Sequence, residues 1–207
     1  MAAEFPPRLF VTGTDTGVGK SYVAALLAVG LEAAYWKPVQ SGPDADADWV
    51  RRVTGLPAER VLPETYRLRA PLSPHEAARR EGVQIEMSRF ALPKQKRLIV
   101  EGAGGVMVPL DDQHLMVDLM VALGLPVLVV ARSELGTINH TLLTLDQLRR
   151  RGCPLLGVVV NGPSNPANCQ AIAHYGEVPV LAAIDRRVEL APAKVRALFV
   201  RYFGRHG

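Results

Sequence analysis

The residues best suited to chemistry lie close together in Gly13-Thr14-Asp15-Thr16-Gly17-Val18-Gly19-Lys20-Ser21. Glycines let backbone N–H groups close on phosphate oxygens without interference from a Cβ. In such a loop Lys20 would lie along the β- and γ-phosphates of a nucleotide, and the Ser21 hydroxyl would ligate Mg²⁺. The usual spacing is Gly, four residues, then Gly-Lys. Here Thr14 takes the first-glycine position and Gly13 stands one residue earlier, so the loop is one residue longer.

Further polar residues close apolar runs. Lys37 follows Ala34-Tyr35-Trp36, and Pro38 ends the strand because it cannot donate to a ladder. Glu101 ends Arg97-Leu98-Ile99-Val100. A carboxylate at the end of a buried strand is costly unless it meets a metal or a donor. Glu101 is therefore expected to face the Mg²⁺ and the γ-phosphate, with Gly102, Ala103, Gly104 and Gly105 letting the backbone approach. Asp44, Asp46 and Asp48 precede the helical stretch from Trp49 to Val53. Asp48 reads as the cap of that helix or as a further carboxylate for the cation. Asn161 ends Leu155 to Val160 and is followed by Gly162-Pro163. A turn alone accounts for these residues, but an asparagine also donates and accepts at once, as a nucleobase edge requires. Ser73-Pro74-His75 reads as a helix start, with Ser73 as cap and His75 as a polar helix-end residue.

These residues need a scaffold that brings strand ends together. Leu9-Phe10-Val11 reads as a buried strand, and Tyr22 to Val29 as the helix after the phosphate loop. Pro126 to Ala131 is apolar throughout, as a strand covered on both faces should be. Val178 to Ile184 reads as a last short strand. Met116–Leu123, Ile138–Arg151 and Pro192–Phe203 read as helices. Residues 55–96 are broken by five prolines into short pieces. The alternation predicts an α/β fold of the P-loop NTPase type over residues 1–207. It would be a single domain, its mostly parallel sheet covered by helices on both faces. In such sheets ligands gather at the carboxyl ends of the strands.

Composition narrows the partners. The chain has 207 residues, 48% hydrophobic and 21% charged, with a net charge of +4. No apolar run reaches the roughly 20 residues that span a bilayer. No basic segment followed by an apolar one opens the chain, so a cytoplasmic location is expected. The arginine pairs lack interleaved aromatic residues, which argues against nucleic-acid binding. Mild positive charge suits small anionic substrates. Cys153 and Cys169 have no metal-ligand spacing and read as reduced thiols.

With these segments in place, the chain resembles the dethiobiotin synthetase family over about residues 8–190. The resemblance is carried by Val11 to Thr16 running into Gly19-Lys20-Ser21, by Lys37-Pro38-Val39-Gln40-Ser41-Gly42, by Ser73-Pro74-His75, by Glu101 to Gly105, and by Gly136-Thr137-Ile138-Asn139-His140. It implies a Mg²⁺- and ATP-dependent ligase of biotin biosynthesis. That enzyme carboxylates 7,8-diaminononanoate with CO₂ and closes a cyclic urea through a carbamate and its phosphoric anhydride. Lys20 and Lys37 would stabilise the charge in transfer. Ser21, Asp48 and Glu101 would hold Mg²⁺. Thr16 to Tyr22, with Gly102, Ala103 and Gly104, would wrap the triphosphate. Asn161, Gly162, Ile184 and Asp185 would lie at the base. Ser41 and Lys37 would meet the substrate amines. Gly136, Thr137 and Asn139 would bind the substrate's carboxylate end across a homodimer. Gly17 stands where the family often has glutamate. A partition-type ATPase is the rival of similar fold; it usually carries an early lysine in the phosphate loop, and none lies between Gly13 and Gly19.

Overall fold

Strict alternation along the central strands sets the architecture. In Arg8–Gly13 (β1), Leu9 and Val11 belong to one apolar cluster and Phe10 to another. A strand sends successive side chains to opposite faces, so β1 is covered on both sides. The computed structural model describes residues 5–43, 45–184 and 188–204.

After β1 come the helix Lys20–Gly30 (α1), the strands Ala34–Trp36 (β2) and Val39–Ser41 (β3), and the helix Asp46–Thr54 (α2). The proline-rich stretch supplies Val61–Leu62 (β4), Tyr66–Leu68 (β5) and the helix Pro74–Glu81 (α3). Then follow Leu98–Glu101 (β6), Met116–Leu123 (α4), Val127–Arg132 (β7), Thr137–Arg150 (α5), Leu155–Asn161 (β8), Pro166–Gly176 (α6), Val180–Ile184 (β9) and Pro192–Phe203 (α7).

Seven strands form one sheet in the order β4-β2-β6-β1-β7-β8-β9, and β3 and β5 pair separately. Every named pairing is parallel. One apolar cluster packs α1, α2 and α7 against one face of the sheet; the other packs α3, α4, α5 and α6 against the opposite face. Fully buried residues such as Leu9, Phe10 and Leu128 each contribute about 1.5–3 kcal/mol by leaving water.

Two expectations need correction. Asp48 does not cap α2: the helix starts at Asp46, with Ala45 before it, and Asp48 lies inside the first turn. Ser73 stands at the cap position of α3, but its hydroxyl faces His75 Nδ1 at 3.0 Å rather than a backbone N–H. Four elements are additions. The stretch after Lys37-Pro38 re-forms a strand, β3, the proline-rich stretch holds β4 and β5, and α6 follows the Asn161 turn.

The register does the positioning. Trp36 pairs with Val100, so Lys37 and Glu101 leave their strands side by side. Val11 pairs with Glu101, which places the start of the phosphate loop next to them. On the other flank Asn161 pairs with both Arg132 and Ile184.

Candidate active site

The phosphate loop turns tightly over the end of β1. A Cβ on Gly13 would come within 2.7 Å of Val18 Cγ2, so only glycine lets the loop fold back. Gly17 and Gly19 hold left-handed backbone at φ of 76° and 98°, a conformation glycine adopts without a Cβ penalty. Gly19 is the cap residue of α1, and no side chain caps that helix. The donors of its first turn thus open towards the cleft, where an anion would meet them.

Lys20 is 7% exposed, and its ammonium donates to the Asp15 carbonyl at 2.9 Å. Burial is the strongest influence on its pKa and brings it from 10.5 to about 8; Glu101 pulls it back up and Lys37 pushes it down. Lys37 is 4% exposed and donates to Glu101 Oε1 at 3.0 Å and to Asp46 Oδ2. Burial pulls its pKa down, but the Glu101 and Asp46 carboxylates outweigh burial and hold it above the ordinary lysine value. Lys37 is therefore an ammonium throughout the neutral range, while Lys20 loses its proton on mild alkalinisation.

Ser21 Oγ lies 3.0 Å from Asp46 Oδ1 and 2.8 Å from Glu101 Oε1. A hydroxyl has one proton and cannot donate to both carboxylates at once. Three oxygens, two of them anionic, thus converge on one small space, and a hard cation favours such a donor set. Glu101 is fully buried, and its second oxygen accepts from the Tyr35 hydroxyl at 2.8 Å. Burial first, then the Glu101 charge, raises the Tyr35 pKa well above its usual value, so the phenol stays a donor.

Lys20, Ser21, Lys37, Asp46 and Glu101 share one cleft of about 1490 Å³. Thr16, Gly17, Gly19, Lys20, Ser21 and Tyr22 line it from the loop and α1. Lys37, Ser41, Glu101, Ala103 and Gly104 line it from the strand ends, and Val188 to Pro192 close a further wall. The Ser41 hydroxyl is buried with no partner among the described residues.

One carboxylate expected at the cation site stands apart from the charged cluster. Asp48 lies at the edge of the cleft, but its side chain is 73% exposed and pairs with Arg67 at 3.6 Å. Asp46 is the aspartate that meets Ser21 and Lys37, and its backbone N–H donates to Gln40 Oε1 at 3.2 Å. Helical periodicity carried the signal. Asp46 is four residues before Val50 and seven before Val53, on the buried face, whereas Asp48 shares the exposed face of Arg51 and Arg52. Tyr35 went unnoticed because its hydroxyl is polar only at the tip of an otherwise apolar strand.

The remaining expected residues sit apart from the charged cluster. Val18 is buried under the loop. Gly102 donates its N–H to the Val11 carbonyl, next to β1. Asn161 is 1% exposed, and its amide donates to the Val18 carbonyl at 2.7 Å while Oδ1 has no partner among the described residues. Gly162 follows it and donates to the Ile184 carbonyl at 3.0 Å. The Ile184 side chain is in the core, and Asp185 lies outside the described residues. Gly136, Thr137 and Asn139 open α5 and do not line this chain's cleft.

The parallel sheet, the phosphate loop at the end of β1 and the lysines beside it define a P-loop nucleotide-binding protein. The profile of a family described as an AAA domain matches residues 7–194. A ParA family ATPase from Chlorobium tepidum TLS superposes with a TM-score of 0.54 at 16% identity, covering 88% of this chain and 85% of that one, which shows the shared fold. The ATP-dependent dethiobiotin synthetase BioD of Paramagnetospirillum magneticum is 54% identical over 92% of this chain and 93% of its own. The protein of the same name from Rhodopseudomonas palustris strain TIE-1 is 47% identical over 95% of this chain and 94% of its own. The chain belongs to the dethiobiotin synthetase family.

Proposed function

We propose that this chain forms dethiobiotin from 7,8-diaminononanoate, CO₂ and ATP. One amine adds to CO₂, giving a carbamate and releasing a proton. A carbamate oxygen attacks the γ-phosphorus, and the bond to ADP breaks. The second amine then attacks the carbamoyl carbon, and phosphate leaves as the cyclic urea closes. The observation that carries this reading is the convergence of Lys20, Lys37, Ser21, Asp46 and Glu101 in one cleft.

Two anions must be held in contact in this reaction, and in water-excluded surroundings their repulsion is large. Lys20, on the phosphate loop, holds the transferring phosphoryl group. Lys37 bridges it to the carbamate, outside the loop, where added positive charge favours the transition state over the ground state. Ser41 bonds the substrate near its amines; its unpartnered hydroxyl supports this. The donor set of Ser21, Asp46 and Glu101 would hold Mg²⁺. When bound, Mg²⁺ would neutralise phosphate charge and orient the phosphates.

The base would lie towards Asn161, whose Oδ1 supports such a contact. Gly136, Thr137 and Asn139 would serve the partner subunit's cleft in a homodimer. Leu135, fully exposed, and Leu143, 62% exposed, support a second copy at the head of α5. Among the described residues, no helix is long and apolar enough to cross a membrane.

The test is incubation with ATP, Mg²⁺, bicarbonate and 7,8-diaminononanoate, followed by mass detection of the cyclic urea. One urea per ADP is expected. ADP release without urea would overturn the reading.

A further inference from the structure

We infer that Tyr35 is a positioning residue that fixes the orientation of Glu101, so that Oε1 alone is presented to the cation site. This rests on the reading of Glu101 as a Mg²⁺ ligand. The register makes the contact possible. Tyr35 pairs with Ile99 on the neighbouring strand, and Glu101 is two residues further along that strand. Residues two apart share a face, so Ile99, Glu101 and Tyr35 all point to the side covered by α1 and α2. The tyrosine ring lies in the core at 0% exposure, and its hydroxyl reaches Glu101 Oε2 at 2.8 Å.

The two Glu101 oxygens have separate partners. Oε2 accepts from Tyr35; Oε1 meets Lys37 at 3.0 Å and Ser21 at 2.8 Å. A carboxylate anchored through one oxygen has its rotation restricted, so its other oxygen keeps one direction. Outer partners of this kind typically govern metal affinity by about 10- to 100-fold. Tyr35 itself does not line the cleft, whereas the loop and the start of α1 do.

Tyr35→Phe removes the hydroxyl and keeps the ring. The readout is the gain in affinity for a non-hydrolysable ATP analogue when Mg²⁺ is added, measured by calorimetry alongside Glu101→Ala and the double variant. Tyr35→Phe is expected to cut that gain about tenfold, leave the metal-free affinity unchanged, and add nothing once Glu101 is alanine. An unchanged gain in Tyr35→Phe, with a lost gain in Glu101→Ala, overturns the role of Tyr35. Equal losses with and without Glu101 also overturn it. A full gain in Glu101→Ala overturns instead the assignment of Glu101 to the metal. Should Tyr35→Phe not fold, NMR of ring-labelled tyrosine in the unmodified protein decides. The Tyr35 signal is expected to move when Mg²⁺ joins the nucleotide complex, and an unmoved signal overturns the proposal.

Discussion

The carboxyl edge of this sheet has two unlike halves. On the β2–β6–β1 side, four charged groups crowd together: Lys20 and Lys37 are almost fully buried, Glu101 is fully buried, and Asp46 completes the set. On the β7–β8–β9 side the strand ends carry a neutral amide, Asn161, and an arginine, Arg132, that is 38% exposed and lies 3.7 Å from Asp15. Buried charge is costly without partners. The first half tolerates it because each cation meets a carboxylate or a carbonyl. Such a balanced cluster suits transfer between anions, whereas the quieter half suits recognition of a neutral base.

That contrast can be broken by substitution. Lys37→Ala should lower turnover by about 10³-fold, the scale of losing a group that meets transition-state charge, while ATP affinity measured by calorimetry stays within about threefold. Equal losses in both would make Lys37 a binding residue. Glu101→Ala should lower turnover by about 10²-fold and raise the Mg²⁺ needed for half-maximal rate, read from a Mg²⁺ titration of urea formation.

Smaller effects sharpen the contrast. Lys20 has its pKa lowered to about 8, and phosphate favours its charged form. Above that pH the free protein must take up a proton to bind ATP, so affinity should fall as pH rises through about 8, by up to about tenfold per unit. Stability carries the opposite sign. Between about 8 and 10.5 the unfolded chain binds more protons at this site, so Lys20 makes the nucleotide-free protein more stable as pH rises. Lys20→Met should flatten both curves, checked by calorimetry and by thermal melting. Asn161→Ala should weaken nucleotide binding about tenfold, the scale of one lost hydrogen bond with some loop disorder, with little change in turnover at saturating ATP. Asp48→Ala should change little, because an exposed pair is worth at most about 1 kcal/mol; a large loss of Mg²⁺ dependence in this variant would return the metal role to Asp48.

The strand ends were legible because their sequence signals are local. Gly13 to Ser21 announces a loop between strand and helix, and Lys37 and Glu101 each close an apolar run. The seven-strand order and the separate β3–β5 pair were not legible, since register depends on long-range pairing. The choice between Asp46 and Asp48 turned on which face of α2 is buried, and the helix start was placed three residues late. Helix α6 went unread because Asn165 and Pro166 look like a continuing turn, although Asn165 caps it by accepting from the Asn168 N–H at 3.1 Å. The Tyr35 contact joins side chains 66 positions apart, and no spacing rule reports that.

The most direct test of the charged half as the reaction centre is a crystal structure with a non-hydrolysable ATP analogue, Mg²⁺ and 7,8-diaminononanoate. The account predicts the γ-phosphate within hydrogen-bond reach of both Lys20 and Lys37 Nζ, with the substrate amines beside Ser41. A γ-phosphate that Lys37 does not touch, or a diamine bound away from this cleft, would contradict it.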